Sequence, residues 1–169
     1  QFDGSSMEYL EGDRLGLPET SIASTVQGGP LDYTGIANRG FQLWIYPTVG
    51  ANTEDQHIVM DTLQHGVGIA ADGNWFMQYA GAARASSVAV TTSQWYHVMV
   101  VRPFGPSGGS RMYVDGVAVV ATGGGYTGTD ETVLTLGANT GDNFDTIPGL
   151  SNFFTGTVDD LEMFVTGTS

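Results

Sequence analysis

The stretch Trp95–Val120, WYHVMVVRPFGPSGGSRMYVDGVAVV, constrains the fold more than any other part of the chain. Two short apolar runs, Tyr96–Val101 and Met112–Val114, are separated by the Gly/Pro/Ser insert Pro103–Ser110. A third run, Val117–Val120, comes directly after Asp115-Gly116. Runs this short, rich in Val, Tyr and Met and closed by turn residues, form strands rather than helices. Asp-Gly suits a two-residue type I′ turn, in which both central residues take positive φ. The stretch therefore predicts strand, loop, strand, tight turn and strand, paired antiparallel within one sheet.

Strand signals continue on both sides. Gly40–Pro47, GFQLWIYP, alternates Phe41, Leu43 and Ile45 on one face with Gln42, Trp44 and Tyr46 on the other, and Pro47 ends it. Gln1–Tyr9 is expected to begin as an edge strand with a turn at Asp3-Gly4, and the turn-rich Leu10–Pro30 to cross between sheets. His57–Leu63 and Gly66–Ala71 are the next strands. Trp75–Ala80 pairs with the latter across Asp72-Gly73-Asn74, and a short Val88–Val90 leads into the opening stretch. After the glycine-rich segment Gly123–Asp130 come a strand at Val133–Gly137, a long loop Ala138–Asn152, and a last strand Phe153–Val165 with a bulge expected at Gly156. No window shows sustained 3.6-residue periodicity. About ten or more strands at this turn spacing specify an all-β, two-sheet antiparallel sandwich, read as one domain over residues 1–169.

Charge narrows the partners. With 18 acidic residues against five basic ones, all arginine, the net charge is −13. Phosphate neutralisation needs basic clusters, so nucleic acid and anionic membranes are not expected partners. The acids either form a solvated, mutually repelling surface or share a divalent cation. The absence of cysteine excludes disulfides and thiolate metal sites, and no apolar run is long enough to span a membrane. A chain that starts at Gln1 is expected to be a processed or excised piece of a larger polypeptide or assembly.

Four segments, in order along the chain, carry a resemblance. They are FDGSSMEYL (Phe2–Leu10), GFQLWIYP (Gly40–Pro47), WYHVMVV with RMYVDGV (Trp95–Val117), and LTLGA with FFTGTVDDLEMF (Leu134–Phe164). Together they resemble the laminin-G-like and pentraxin-like domains of the concanavalin A-like jelly-roll type, modules appended to bacterial and phage surface proteins and to polysaccharide-degrading enzymes. The resemblance implies two curved sheets without catalytic machinery, binding through rim loops or the concave face, and often a calcium ion at the rim.

Calcium takes six to eight oxygen ligands. The candidates are Asp3 near the N-terminus, Asp142 and Asn143 with Asp145 in the long loop, and Asp159 and Asp160 in the last strand. Strict alternation sends neighbouring residues to opposite faces, so one of Asp159 and Asp160 should face an apolar side, paired with a cation or with backbone or Arg donors. Asp160 and Glu162, two apart, are the nearest match to a glycosidase carboxylate pair. The hydrolase string Glu-x-Asp-x-x-Glu is absent, so catalysis is not expected. His57, His65 and His97 lack zinc-ligand spacing, and His97 is expected to be a hydrogen-bonded strand residue. Trp44 and Trp95, within strong strands, are assigned to the core. Trp75, Tyr79 and Tyr126, near hairpin tips and loops, are the candidate sugar-stacking rings, with Asp72 and Asn74 (and Asp130) as polar partners.

These features favour a non-catalytic extracellular module that binds glycan on a surface with calcium support. The alternative is a structural domain decorating a virion, filament or surface layer through contacts with a surface protein.

Overall fold

A computed structural model describes residues 2–3, 38–61, 66–79, 82–103, 109–122, 134–139 and 151–166. They form eleven strands: β1 (Phe2–Asp3), β2 (Asn38–Pro47), β3 (Gln56–Asp61), β4 (Gly66–Ile69), β5 (Asn74–Tyr79), β6 (Ala82–Ala89), β7 (Tyr96–Arg102), β8 (Arg111–Val114), β9 (Val117–Ala121), β10 (Leu134–Leu136) and β11 (Thr155–Thr166). Two antiparallel sheets result, one ordered β1-β11-β2-β7-β8-β9 and the other β10-β3-β4-β5-β6. This is the expected jelly-roll sandwich.

The Trp95–Val120 stretch folds as its residues require. β7 alternates buried and half-buried side chains along its whole length, and β7, β8 and β9 are consecutive neighbours in the first sheet. At the β8–β9 turn Asp115 has φ 50° and Gly116 φ 79°, the positive pair that a type I′ turn needs. Asp115 also ties the turn to β7: its Oδ1 accepts from the His97 N–H at 2.9 Å. Its own N–H donates to the His97 carbonyl at 2.8 Å.

Between the sheets, Phe41, Leu43, Ile45, Val98, Val100, Met112 and Val114 meet Ile58, Val59, Val67, Ile69, Trp75 and Met77. At the centre, Trp75 and Tyr96 meet edge to face, with ring centroids 5.2 Å apart. The Tyr96 hydroxyl donates to the Thr91 carbonyl and accepts from the Thr91 N–H and from Gln94 Nε2, which locks the loop before β7 to the core. β3 and β5 bury side chains on the other face of the second sheet as well: Phe76 and His57, outside the inter-sheet cluster, are also buried and pack edge to face at 5.2 Å. Burial lowers the His57 pKa from 6.5 to about 4, against a smaller opposing pull from Asp55. His57 Nδ1 and Trp75 Nε1 have no hydrogen-bond partner among the described residues.

Two local expectations need correction. Ala82–Ala89 forms β6, a full edge strand, where the residue pattern predicts only Val88–Val90. Gly156 is a regular ladder residue opposite Pro47. The bulge in β11 lies further along the strand, where the register shifts between Asp159 and Glu162.

Candidate functional site

The outward phase of β2 carries Gln42, Trp44 and Tyr46. Antiparallel pairing fixes what stands beside them: Trp44 lies opposite His97 on β7 and Asp159 on β11, and Gln42 opposite Met99 and Glu162. Phe41, Leu43 and Ile45 are buried, and a one-residue alternation therefore leaves the second set on the open face. Trp44 is 42% exposed and Trp95 45%. Their place in strong strands predicts both tryptophans in the core, and the structure corrects this: the core takes the other phase. Gln42 and His97, polar residues in the phase of Trp44, are the signal in the sequence that marks this face as outward.

The rings on this face form two cross-strand pairs. Tyr46 and Trp95 have centroids 5.5 Å apart, tilted at 55°. Trp44 and His97 stand 5.2 Å apart at 48°. Beside Trp44 opens a cleft of about 350 Å³ lined by Gln42, Trp44, His97, Asp160, Leu161 and Glu162. Gln42 Nε2 donates to Glu162 Oε2 at 2.6 Å, a charge-assisted contact that fixes both side chains at the cleft wall.

The bulge in β11 decides where the acids go. Asp160 takes φ 47°, a left-handed conformation that Asp tolerates better than most residues, and its N–H donates to Asp159 Oδ1 at 2.9 Å. Asp159, Asp160 and Glu162 are all exposed. The expectation that one of the two adjacent aspartates faces an apolar side is thus corrected: the extra residue breaks the alternation, and Leu161 packs toward the core instead. Asp160 and Glu162 do line one cleft, as the glycosidase-like spacing suggests, but through the bulge and not through a regular strand.

The hairpin tip behaves differently from its expectation as a sugar site. Trp75 is fully buried. It is the first inward residue after the turn, opposite Ile69, and its ring is a core ring that cannot stack on a ligand. Asp72 is occupied within the turn, accepting from the Asn74 N–H at 3.0 Å and from Asn74 Nδ2 at 2.9 Å. Tyr126, Asp142, Asn143 and the side chains of Asp3 and Tyr79 lie outside the described residues.

No three His, Asp or Glu side chains converge as metal ligands among the described residues. The cleft offers the carboxylates of Asp160 and Glu162, short of the oxygen set calcium takes, and one of them already accepts from Gln42. A second, polar pocket of about 200 Å³ lies at the rim between Asn52–Asp55 and Ser151–Thr155. There Asp55 Oδ1 accepts from the Ala71 N–H at 2.8 Å. No helix long and apolar enough to cross a membrane exists among the described residues.

Two facing antiparallel sheets in this strand order define a concanavalin A-like β-sandwich. The chain belongs to the concanavalin A-like lectin/glucanases superfamily: the laminin-G-type model of that family matches residues 31–166. No curated protein matches the chain in sequence. Among solved structures, it is similar to a heptameric pentraxin from Limulus polyphemus, at 17% identity and TM-score 0.50 over 76% of this chain and 64% of the pentraxin. A protein from Bacteroides ovatus described as carbohydrate-binding is 14% identical, with TM-score 0.57 over 76% of this chain and 37% of that one. The CBM40 module of a Ruminococcus gnavus sialidase, bound to sialyllactose, is 11% identical with TM-score 0.52 over 78% of this chain and 77% of the module. At these identities the likeness is one of fold. The chain spans less than two thirds of the pentraxin and of the Bacteroides protein.

Proposed function

We propose that this domain is a non-catalytic carbohydrate-binding module working outside the cell, and that its binding face is the outer surface of β2, β7 and β11. The observation that carries this is the patch of rings Trp95, Tyr46, Trp44 and His97, two of which are nearly half exposed. An exposed indole costs solvation unless something covers it, and its flat face suits the apolar face of a pyranose, while the polar groups beside it fix orientation. Gln42, Asp160 and Glu162 supply hydrogen-bonding groups beside the Trp44–His97 pair. Membership of a lectin superfamily supports the same reading, as do the carbohydrate-binding descriptions of structural neighbours.

Binding is assigned to these side chains alone, with no step routed through calcium. The test is a glycan array followed by titration calorimetry on the wild type, Trp44→Ala and Trp95→Ala, each with and without EDTA. Glycan binding that survives chelation, is lost in Trp44→Ala and releases no reducing ends supports the assignment. Binding that persists unchanged in both Trp variants overturns the face, and released reducing ends overturn the non-catalytic role. No binding to any glycan favours a structural domain that contacts protein.

A further inference from the structure

The cleft beside Trp44 has a chemical bias, and its meaning for ligand choice rests on the assignment of this face to glycan. Two of its six lining residues carry carboxylates and none is Lys or Arg. Asp159 stands opposite Trp44 on the same face and adds a third acid. The exposed Arg111 belongs to this face but sits beyond β7, opposite Val101. The one amide at the cleft, on Gln42, already donates to Glu162. The Asp160 carboxylate has no hydrogen-bond partner among the described residues; only its backbone N–H is engaged, by Asp159. Carboxylate acceptors therefore supply all the formal charge of the cleft and stand beside an aromatic face, against the N–H groups of Gln42, Trp44 and His97.

A ligand matched to those acceptors brings donors and positive charge. We infer that the cleft selects an amino sugar with a free ammonium group, such as a glucosamine unit in a chain. Its ring stacks on Trp44 while the ammonium, with three N–H donors, reaches the carboxylates of Asp160 and Glu162. Each element has a physical basis. Ammonium-to-carboxylate hydrogen bonds are charge-assisted. A cation over an indole is attracted by the ring's quadrupole. N-acetylation removes the charge and two of the three donors. A uronic acid brings a like charge to an acidic wall on a chain of net charge −13, which is repulsive at this range.

The experiment compares four oligosaccharides of equal length: β-1,4-glucosamine, its fully N-acetylated counterpart, cello-oligosaccharide and oligogalacturonate. Each is titrated calorimetrically into the wild type, Asp160→Asn, Glu162→Gln and Glu54→Gln at low and high salt. Glu54 is exposed and lines the separate rim pocket, so its variant removes the same charge from another place. The expected result is that the amine binds about tenfold more tightly than the acetylated and plain forms at low salt, a gain the sum of one ion pair and one cation–aromatic contact allows. High salt and either cleft variant should reduce that preference to about twofold, Glu54→Gln should keep it, and oligogalacturonate should not bind. Equal affinity for amine, acetyl and hydroxyl forms, with sensitivity to Trp44→Ala intact, overturns the amino-sugar preference and leaves glycan binding standing. An equal loss in Glu54→Gln and the cleft variants also overturns it, because the attraction is then diffuse. Failure of all four to bind, together with a blank array, removes both readings.

Discussion

Trp75 and Trp44 are the same residue in the same kind of strand, one in each sheet, and they do opposite things. Trp75 is fully enclosed and meets Tyr96 at the centre of the sandwich, whereas Trp44 leaves 42% of its surface open beside a carboxylate-lined cleft. The difference lies in phase. Trp75 shares its phase with Met77 and alternates with Phe76, in a strand where all three are buried. Trp44 shares its phase with Gln42 and Tyr46, in a sheet whose outer face is open. Residue type sets what a ring is able to do; the neighbours two residues away decide whether it packs or binds.

Mutation separates the two most directly. Trp75→Ala empties the space between the sheets and should cost about 3–5 kcal/mol of folding stability, as large-to-small core changes do. Trp44→Ala should cost about 1 kcal/mol or less, since much of the ring is already in water. Urea melts with an unchanged m-value read both. A similar stability loss for the two variants would break the comparison.

His57, buried in the second sheet, extends the contrast to pH. The His57 pKa falls from 6.5 to about 4 on folding because burial disfavours its charged form. Between those values the unfolded chain binds more protons, so stability rises with pH across this window and is fully present above about 6.5. Lowering the pH from 7 to 4 should remove roughly 3 kcal/mol from this one group. Carboxylates titrate in part of the same range, so the measured quantity is the difference between wild type and His57→Phe in urea midpoint against pH. Identical slopes for the two would show that His57 is not the group that senses acid.

Ligand binding should show the reverse ranking of the two tryptophans. Trp44→Ala is expected to weaken glycan binding by tenfold or more, about 1.4 kcal/mol, as loss of a central aromatic anchor does. Trp95→Ala should weaken it less, because Trp95 pairs with Tyr46 and does not line the cleft. A conservative core change such as Met77→Leu, in the same strand and phase as Trp75, should leave the affinity unchanged. A loss of binding there as large as in Trp44→Ala would mean that the face and the core are coupled.

Most of the sandwich is legible in the sequence because its signals are local. The positive φ pair at Asp115-Gly116, the alternation of GFQLWIYP and the buried phase of β7 each come from a few adjacent residues. β6 is not legible, because AARASSVA has no β-branched alternation; it is a strand through its pairing with β5, and as an exposed edge it buries little that a pattern would reveal. The candidate site is less legible. Trp75 is chosen for its nearness to a hairpin tip, which is a poorer guide to exposure than phase along a strand. Strict alternation misplaces the carboxylates of Asp159 and Asp160, because a bulge invalidates it. A bulge is a cooperative adjustment between two strands, and nothing in VDDLE announces it.

That bulge supports the smallest and most specific prediction. Asp160 holds φ 47° without being glycine, a conformation whose cost to a side chain is of order 1 kcal/mol. Asp160→Gly should relieve it, less the entropy that glycine adds to the unfolded chain, for a net gain of about 0.5 kcal/mol. The same change deletes the carboxylate at the cleft and should weaken binding of a glucosamine chain. Asp160→Asn, which tolerates the left-handed region about as well, should leave stability where it was and weaken binding comparably. Stability and binding moving in opposite directions at Asp160, while both are lost or kept together at core positions, is the pattern expected where a strained residue is retained for contact with a ligand. If Asp160→Gly destabilises the fold, the bulge depends on the side chain's own contacts and the strain has another origin.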